Sequence, residues 1–201
     1  MTSPDKFEIE EVKELVCSAL KSLYKYDAVL YKFETDDSYI NERCLSFRIG
    51  LYMYEEIKNN CKYAGYDIDS EYNRHLNDVK RASKNKDECI IPDILIHKRK
   101  NDDNNLLLIE IKKDTSRDDD GFLKDIHVLK NLTLQTPPDN INRYKYKFGM
   151  HIILGESNAI IYVYQNGNFC KDDSFMFSQK EISKLTKDEI DAYNEKVQES
   201  K

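Results

Sequence analysis

The stretch that decides the fold is CIIPDILIHKRKNDDNNLLLIEIKK, residues 89–113. It contains two nearly continuous apolar runs, 89–97 and 105–113, and such runs are typical of strands that are covered on both faces. The connection between them, residues 98–104, is short and polar. A connection of this kind predicts a hairpin, so we expect two antiparallel neighbouring strands at the centre of a sheet.

Apolar spacing predicts the elements on either side of this hairpin. Three segments have helical spacing: 8–25, 40–60 and 117–133. Three segments have the pattern of strands: 66–73, 146–154 and 159–164. We expect 146–154 to return beside 105–113 by a right-handed crossover. A last helix is predicted to start near Thr186, because Thr186 and Glu189 form a capping box. This order predicts an α/β protein, with a mixed sheet and helices on its faces.

Length and composition are those of one folded domain. The chain has 201 residues, of which 40% are hydrophobic and 34% are charged, so it can bury a sizeable core. The sequence has no apolar run long enough to span a bilayer, and residues 1–14 lack the apolar core of a signal peptide. We therefore expect a cytoplasmic protein with no membrane partner. The five cysteines and four histidines show no metal-ligand spacing, which favours reduced thiols over a zinc site.

The net charge of −6 argues against a protein that coats nucleic acid non-specifically, because phosphate contacts need Lys and Arg. It does not exclude a nuclease, since an enzyme can concentrate basic residues locally. Residues 74–86 hold five basic residues against one acid, Asp78. This segment is either a solvated basic loop or a nucleic-acid contact.

The central hairpin carries the chemistry. Side chains alternate along a strand, so Glu110 and Lys112 point to one face, and Asp93 on the neighbouring strand can lie close to Glu110. Two adjacent carboxylates repel unless a proton or cation intervenes, and oxygen ligands suit Mg²⁺ or Mn²⁺. Lys112 could then act on a metal-bound water or on the charge of a phosphate. The alternative is that Glu110 and Lys112 pair with each other at the rim of the sheet.

Glu42 is a further candidate, because it lies three residues before Leu45 and therefore on the core-facing side of the second helix. It is either an acid favoured by the helix dipole or an additional metal ligand.

At this point the sequence resembles a known group. Four segments carry the resemblance: Asn41-Glu42-Arg43 with Phe47-Arg48, Asp69-Ser70-Glu71-Tyr72-Asn73-Arg74, PDILIHKR over 92–99, and NLLLIEIKK over 105–113. With the predicted order of elements, they resemble a widespread bacterial branch of the PD-(D/E)XK nuclease superfamily. The resemblance covers roughly residues 26–165.

The resemblance implies the restriction-endonuclease-like fold, a three-layer α/β/α sandwich around a mixed sheet of about five strands. We expect one domain over 1–201. Its parts are a helical N-terminal part over 1–63, a sheet core over 64–165 and a C-terminal helix over about 186–198.

The resemblance also implies the site. Asp93, Glu110, the carbonyl of Ile111 and Glu42 are expected to bind Mg²⁺ or Mn²⁺. Lys112 is the active-site lysine, and Lys124 matches a lysine that the branch often carries in the following helix. A set of lower-ranked candidates for contact with nucleic acid or phosphate comprises Glu71, Asn73, Arg74, Lys80 and Arg81.

The expected activity is metal-dependent hydrolysis of phosphodiester bonds, with DNA as the implied substrate. The alternative is a catalytically silent module of a defence system or mobile element, on the same fold, that binds nucleic acid or another protein. A homodimer and a protein partner both stay open.

Overall fold

The computed structural model describes residues 7–30, 41–72, 90–101, 104–116, 119–135 and 144–199, and the backbone of 74–75 and 78–79. Asn73, Lys80 and Arg81, which the sequence nominated for nucleic-acid contact, lie outside the described residues. Arg74 is described through its backbone alone.

The helices within the described residues follow the predicted apolar stripes closely. The α-helices are α1 (Ile9–Tyr26), α2 (Glu42–Ile57), α3 (Asp119–Thr133) and α4 (Lys187–Glu199). Short 3₁₀ turns follow α1 and α2, at Ala28–Leu30 and Cys61–Tyr63. The capping box before α4 forms as expected, since Thr186 N–H donates to the Glu189 carboxylate at 2.7 Å.

The strands form one large sheet and one small hairpin. The large sheet contains eight strands: β1 (Asp67–Ser70), β4 (Ile94–His97), β5 (Leu107–Lys113), β6 (Phe148–Leu154), β7 (Asn158–Gln165), β8 (Asn168–Phe169), β9 (Phe175–Ser178) and β10 (Ile182–Lys184). The hairpin pairs β2 (Arg74–His75) with β3 (Asp78–Val79).

The strand order is β1-β4-β5-β6-β7-β9-β10, with β8 also paired to β7. Strands β5 and β6 are parallel, and the other pairs are antiparallel. The α/β class and the central antiparallel hairpin are therefore confirmed, with Ile94 paired to Ile109. The sheet has more than the expected five strands, because residues after 165 add β8, β9 and β10. These strands have two to four residues each, too few for alternation to be recognised in the sequence.

Helices cover both faces of the sheet, which explains why β5 is apolar on both sides. Leu107, Ile109 and Ile111 belong to a core shared with α1 and α2. Leu108 belongs to a second core shared with α3 and α4, which includes Tyr164 of β7. Each fully buried aliphatic or aromatic side chain contributes about 1.5–3 kcal/mol, so these two cores hold β5 in place from both sides.

Close packing of α3 on β6 has a specific cause. A methyl group on Gly149 of β6 would come within 2.9 Å of Thr133 and 3.0 Å of Leu129, both in α3. Only glycine lets the helix approach this closely without displacement. This approach brings the inward face of α3 against the central strands.

Among the described residues, no helix has the length and apolarity that crossing a membrane requires.

Candidate active site

Register in the central hairpin places the two predicted carboxylates opposite each other. Asp93 directly precedes β4, and because Ile94 pairs with Ile109, Asp93 lies opposite Glu110. The Ile111 N–H donates to Asp93 Oδ2 at 2.7 Å, and the Asp93 N–H donates to the Glu110 carboxylate. Each residue therefore orients the other through the backbone.

The next residues of β5 meet the start of α2. Lys112 Nζ lies 3.5 Å from Glu42 Oε2, and the Lys113 N–H donates to Glu42 Oε1 at 3.2 Å. Glu42 is the first residue of α2, and Asn41 caps this helix by accepting from the Arg43 N–H at 3.0 Å. The structure thus brings Glu42, Asp93, Glu110 and Lys112 to one end of β5.

Asp125 completes the group, and sequence reasoning missed it. Its Oδ2 lies 3.2 Å from Lys112 Nζ. A signal was present in the sequence, because Asp125 lies three residues after Phe122 and four before Leu129 and is therefore a carboxylate on an apolar helix face. The candidate taken from the resemblance, Lys124, is exposed on α3. Adjacent helical residues point about 100° apart, so the inward position belongs to Asp125.

His151 was also missed. It lies in β6 opposite Glu110 and is fully buried. Its Nδ1 is 3.1 Å from Tyr193 Oη, and its Nε2 is 3.7 Å from Asp125 Oδ2. Within the described residues, Asp125 Oδ2 and His151 Nε2 are the buried side-chain atoms that lack a hydrogen-bond partner. The sequence did contain a signal for His151, because it is the one polar residue in the apolar run FGMHIIL, residues 148–154.

Glu71 lies at the rim of this group. Its N–H donates to the Asp93 carbonyl at 3.2 Å, and its carboxylate pairs with Arg43 Nε at 2.6 Å. Its φ of 51° lies in the left-handed region, which non-glycine residues seldom adopt. Strain of this kind clusters at functional sites, and here it ends β1 beside Asp93.

The charges of the group are unbalanced. Burial raises the pKa of Asp93 to about 6 and the pKa of Asp125 to about 7. Burial, together with the charges of Asp125 and Asp93, raises the pKa of Glu110 well above its ordinary value. The carboxylates of Asp93, Glu110, Asp125 and Glu42 all interact with the half-buried ammonium group of Lys112. The next residue, Lys113, is also buried and interacts with Glu42. Such a site holds its carboxylates protonated or attracts a cation.

The two bases respond in opposite directions. Burial lowers the pKa of Lys112, but the charges of Asp125 and Glu42 outweigh burial and hold it above its ordinary range. Burial lowers the pKa of His151 to about 3, so its ring is neutral at pH 7. Lys112 is therefore the fixed positive charge of the site.

The donor set matches a hard divalent cation, because Asp93, Glu110 and the Ile111 carbonyl offer oxygen atoms alone. Across the part of the chain that the structure describes, no three His, Cys, Asp or Glu side chains are arranged to hold a metal ion together. Mg²⁺ does not require such a group, since it commonly binds through one or two carboxylates and keeps several waters. The chemistry of the residues therefore fits Mg²⁺ or Mn²⁺.

No protein-family model, curated protein or solved structure matches this chain.

Proposed function

We propose that this protein is a Mg²⁺- or Mn²⁺-dependent nuclease that hydrolyses phosphodiester bonds of DNA, on a restriction-endonuclease-like three-layer fold. One observation carries the proposal: Asp93 and Glu110 lie opposite each other with raised pKa values, beside a half-buried Lys112. Carboxylates concentrated in this way destabilise the fold in their charged forms unless they take up protons or bind a cation, and groups with such perturbed pKa values are common at functional sites.

The metal ligands in this proposal are Asp93, Glu110 and the carbonyl of Ile111, with Glu42 as a further ligand. A bound divalent ion lowers the pKa of its water and polarises a phosphoryl oxygen. The hydrogen bond from the Ile111 N–H fixes the orientation of the Asp93 carboxylate before any ion arrives. Such preorganisation reduces the cost of binding.

Lys112 acts as a positive charge in this mechanism and not as a general base. An efficient general base has a pKa near the working pH, whereas the carboxylates around Lys112 hold its pKa above the ordinary range. A fixed ammonium group stabilises the charge that grows on the phosphate and orients the attacking water.

Asp125 is a positioning residue in this proposal, because it forms an ion pair with Lys112. Its ion pair with Lys112 Nζ at 3.2 Å, together with Glu42 on the other side, restricts the long lysine side chain. Restricting such a side chain before the substrate binds lowers the entropy cost of the reaction. His151 and Tyr193 bound the space behind Asp125.

The substrate contacts in this proposal come from the rim. Lys124 is exposed on α3, and Arg43 is 71% exposed at the start of α2. Asn73, Arg74, Lys80 and Arg81 are proposed as further phosphate contacts from their sequence alone, because their side chains lie outside the described residues. Local basic residues of this kind can bind phosphates although the net charge is −6.

The decisive experiment incubates the purified full-length protein with linear DNA, supercoiled DNA and RNA, with Mg²⁺, with Mn²⁺ and with a chelator. We expect cleavage of DNA that needs the metal and that is lost in Asp93→Ala and Lys112→Ala. Lys184→Ala serves as the matched control, because Lys184 is an exposed lysine at the far edge of the sheet.

Equal behaviour of the wild type and Asp93→Ala on every nucleic acid would refute the nuclease. If the protein then binds DNA or a protein partner without metal, the silent binding module replaces it. Cleavage of RNA alone would replace DNA as the substrate.

A further inference from the structure

A second polar cavity lies at the opposite end of the sheet from the candidate active site. It has a volume of about 400 Å³ and opens where β5 and β6 begin and β7 ends. Leu106 lines it, six residues before Lys112 on the same chain segment. At about 3.3 Å per residue, the two sites are roughly 20 Å apart.

The lining of this cavity is rich in amides and cations. Five amide side chains line it: Asn104, Asn105, Gln135, Gln165 and Asn166. Lys145 and Lys147 add positive charge, and no carboxylate is among the described residues that line it. Tyr66 contributes a half-buried aromatic ring, and the buried Phe7 packs edge-on against it. The cavity therefore offers hydrogen-bond donors and acceptors, a net positive charge and flat apolar surfaces together.

Two of the amides are held in place by the backbone. Asn105 Nδ2 donates to the Tyr144 carbonyl, and Gln135 Nε2 donates to the carbonyls of Thr133 and Tyr146, both at 3.0 Å. Because the amide group is planar, the bonds made by each nitrogen also fix the direction of the amide oxygen. Groups fixed in advance bind a ligand with a smaller loss of entropy.

Backbone hydrogen bonds also hold the segment that carries the two lysines. The Lys147 N–H donates to the Asn105 carbonyl, and the Tyr146 N–H donates to the Leu132 carbonyl, both at 2.9 Å. Lys145, directly before Tyr146, has a φ of 45°, in the left-handed region, where a lysine is strained. Strained conformations persist where the surrounding structure imposes them, and they are common at ligand-binding sites.

Size and chemistry together select a ligand class. Small-molecule sites measure about 300–1,000 Å³, so this cavity suits a small molecule or the end of a chain and not a duplex. Lysines select an anion, whereas amides and aromatic rings select a flat ring with hydrogen-bonding edges. We propose that this cavity binds a nucleoside monophosphate unit, with its base towards the amides and its phosphate on Lys145 and Lys147.

Two sources supply this unit, a free mononucleotide or the 5′-phosphorylated end of a single strand. The test is calorimetry on the full-length protein with the four deoxynucleoside 5′-monophosphates, a 5′-phosphorylated oligothymidylate and inorganic phosphate. A chelator is present throughout, so the result does not depend on the proposed cleavage. Tighter binding of the oligonucleotide identifies the strand end, and equal binding identifies the free nucleotide.

We expect Lys147→Glu and, separately, Gln165→Ala to weaken binding of the nucleotide, the former by about tenfold or more. Lys184→Glu, at the far edge of the sheet, serves as the control and leaves binding unchanged. Two variants are used because the Lys147 ammonium also donates to the Phe7 carbonyl, so its replacement can affect folding. Gln165→Ala removes a lining amide at the end of β7.

Absence of binding up to about 1 mM of every probe would overturn the proposal and leave the amides with the sole task of holding residues 144–147. Equal affinity for inorganic phosphate and the nucleotides would overturn the assignment of the base. Retained affinity in both folded variants would overturn the location.

Discussion

Two groups of buried charges lie in neighbouring strands, and they differ in how their charge is balanced. In the first group, Asp69 of β1 accepts from His97 Nε2 at 2.9 Å and from Arg99 Nε at 2.9 Å. Burial alone would raise the pKa of Asp69, but the hydrogen bonds from His97 and Arg99 outweigh burial and hold it well below its usual range. This carboxylate is fully compensated.

In the second group, Asp93, Glu110 and Asp125 all have raised pKa values around one lysine. Asp125 Oδ2 forms an ion pair with Lys112 Nζ at 3.2 Å, whereas His151 Nε2 lies 3.7 Å from Asp125 Oδ2 and has no hydrogen-bond partner among the described residues. In the first group, the buried polar atoms of the described residues all have partners. Burial acts to raise the carboxyl pKa values in both groups, but Asp69 is less deeply buried and accepts hydrogen bonds from His97 and Arg99 that outweigh this effect. The first group pairs each charge within the fold, whereas the second concentrates carboxylates whose raised pKa values disfavour their charged forms.

The largest expected effect follows from removing one ligand of the second group. Glu110→Gln keeps the shape of the side chain but removes its charge, so we expect metal-dependent cleavage to fall by about 10³-fold or more. The free energy of unfolding without metal should be equal or higher, because a buried uncompensated carboxylate is lost. Initial cleavage rates and urea unfolding measure the two quantities. A large loss of stability without loss of cleavage would contradict the assignment.

Asp125→Asn separates positioning from ligand binding. The variant keeps the size of the side chain but loses the ion pair that restrains Lys112, so we expect kcat to fall by about 10–100-fold with KM nearly unchanged. Asp125→Glu, which restores the charge, should recover part of kcat. Steady-state kinetics on a DNA substrate give both values. A rise in KM with kcat intact would instead place Asp125 among the substrate contacts.

Asp69→Asn tests the compensated group. The change leaves His97 and Arg99 without their carboxylate, and we expect a loss of about 1–3 kcal/mol in the free energy of unfolding, since Arg99 is half exposed. Cleavage by the folded fraction should be unchanged. Chemical denaturation and cleavage assays test this, and a stability equal to the wild type would show that the pairing contributes nothing.

The carboxylates of the second group should make the free energy of unfolding decrease as the pH rises. The raised pKa values mean that the folded protein binds more protons than the unfolded chain, so stability falls as pH rises through the folded pKa values. His151 has a lowered pKa and therefore makes stability rise with pH, but mainly below pH 6.5, the ordinary pKa of histidine. Between pH 6.5 and pH 8 we therefore expect a loss of about 1–2 kcal/mol.

Asp69 changes stability with pH in the opposite direction. Its contribution to the free energy of unfolding is present at neutral pH and is lost on acidification below the ordinary carboxyl pKa. Denaturant unfolding at pH 6.5 and pH 8, with and without Mg²⁺, measures the loss of stability that we expect from the second group. Mg²⁺ should cancel the loss at pH 8, and Asp125→Asn should reduce it. Stability that rises with pH over this interval would show that the carboxylates are compensated after all.

The smallest expected effect concerns Lys124, which is exposed next to the second group. Lys124→Ala should raise KM by about two- to fivefold and leave kcat unchanged, because an exposed lysine acts through one phosphate contact. The effect should shrink as salt increases. A fall in kcat as large as that of Asp125→Asn would place Lys124 at the reacting atoms.

The central hairpin could be predicted because its information is local. Apolar runs and a short polar connection define β4 and β5, and the two-residue period puts Glu110 and Lys112 on one face. The predicted ends of the strands were less accurate. The predicted strand over 89–97 begins only at Ile94, since Pro92 cannot donate to a ladder. The strand expected over 66–73 stops at Ser70, because Glu71 has a positive φ.

The sequence by itself determined the α/β class, the main helices and strands, and the neighbouring positions of Asp93 and Glu110, because each of these depends on spacing along one or two adjacent segments. Only the tertiary structure decided that Asp125, and not Lys124, meets Lys112, and that His151 lies beside them. Those contacts depend on how closely α3 packs on β6 at Gly149 and on the parallel register of β5 and β6. Packing distance and parallel register join segments that are far apart in the chain, and no local pattern encodes them.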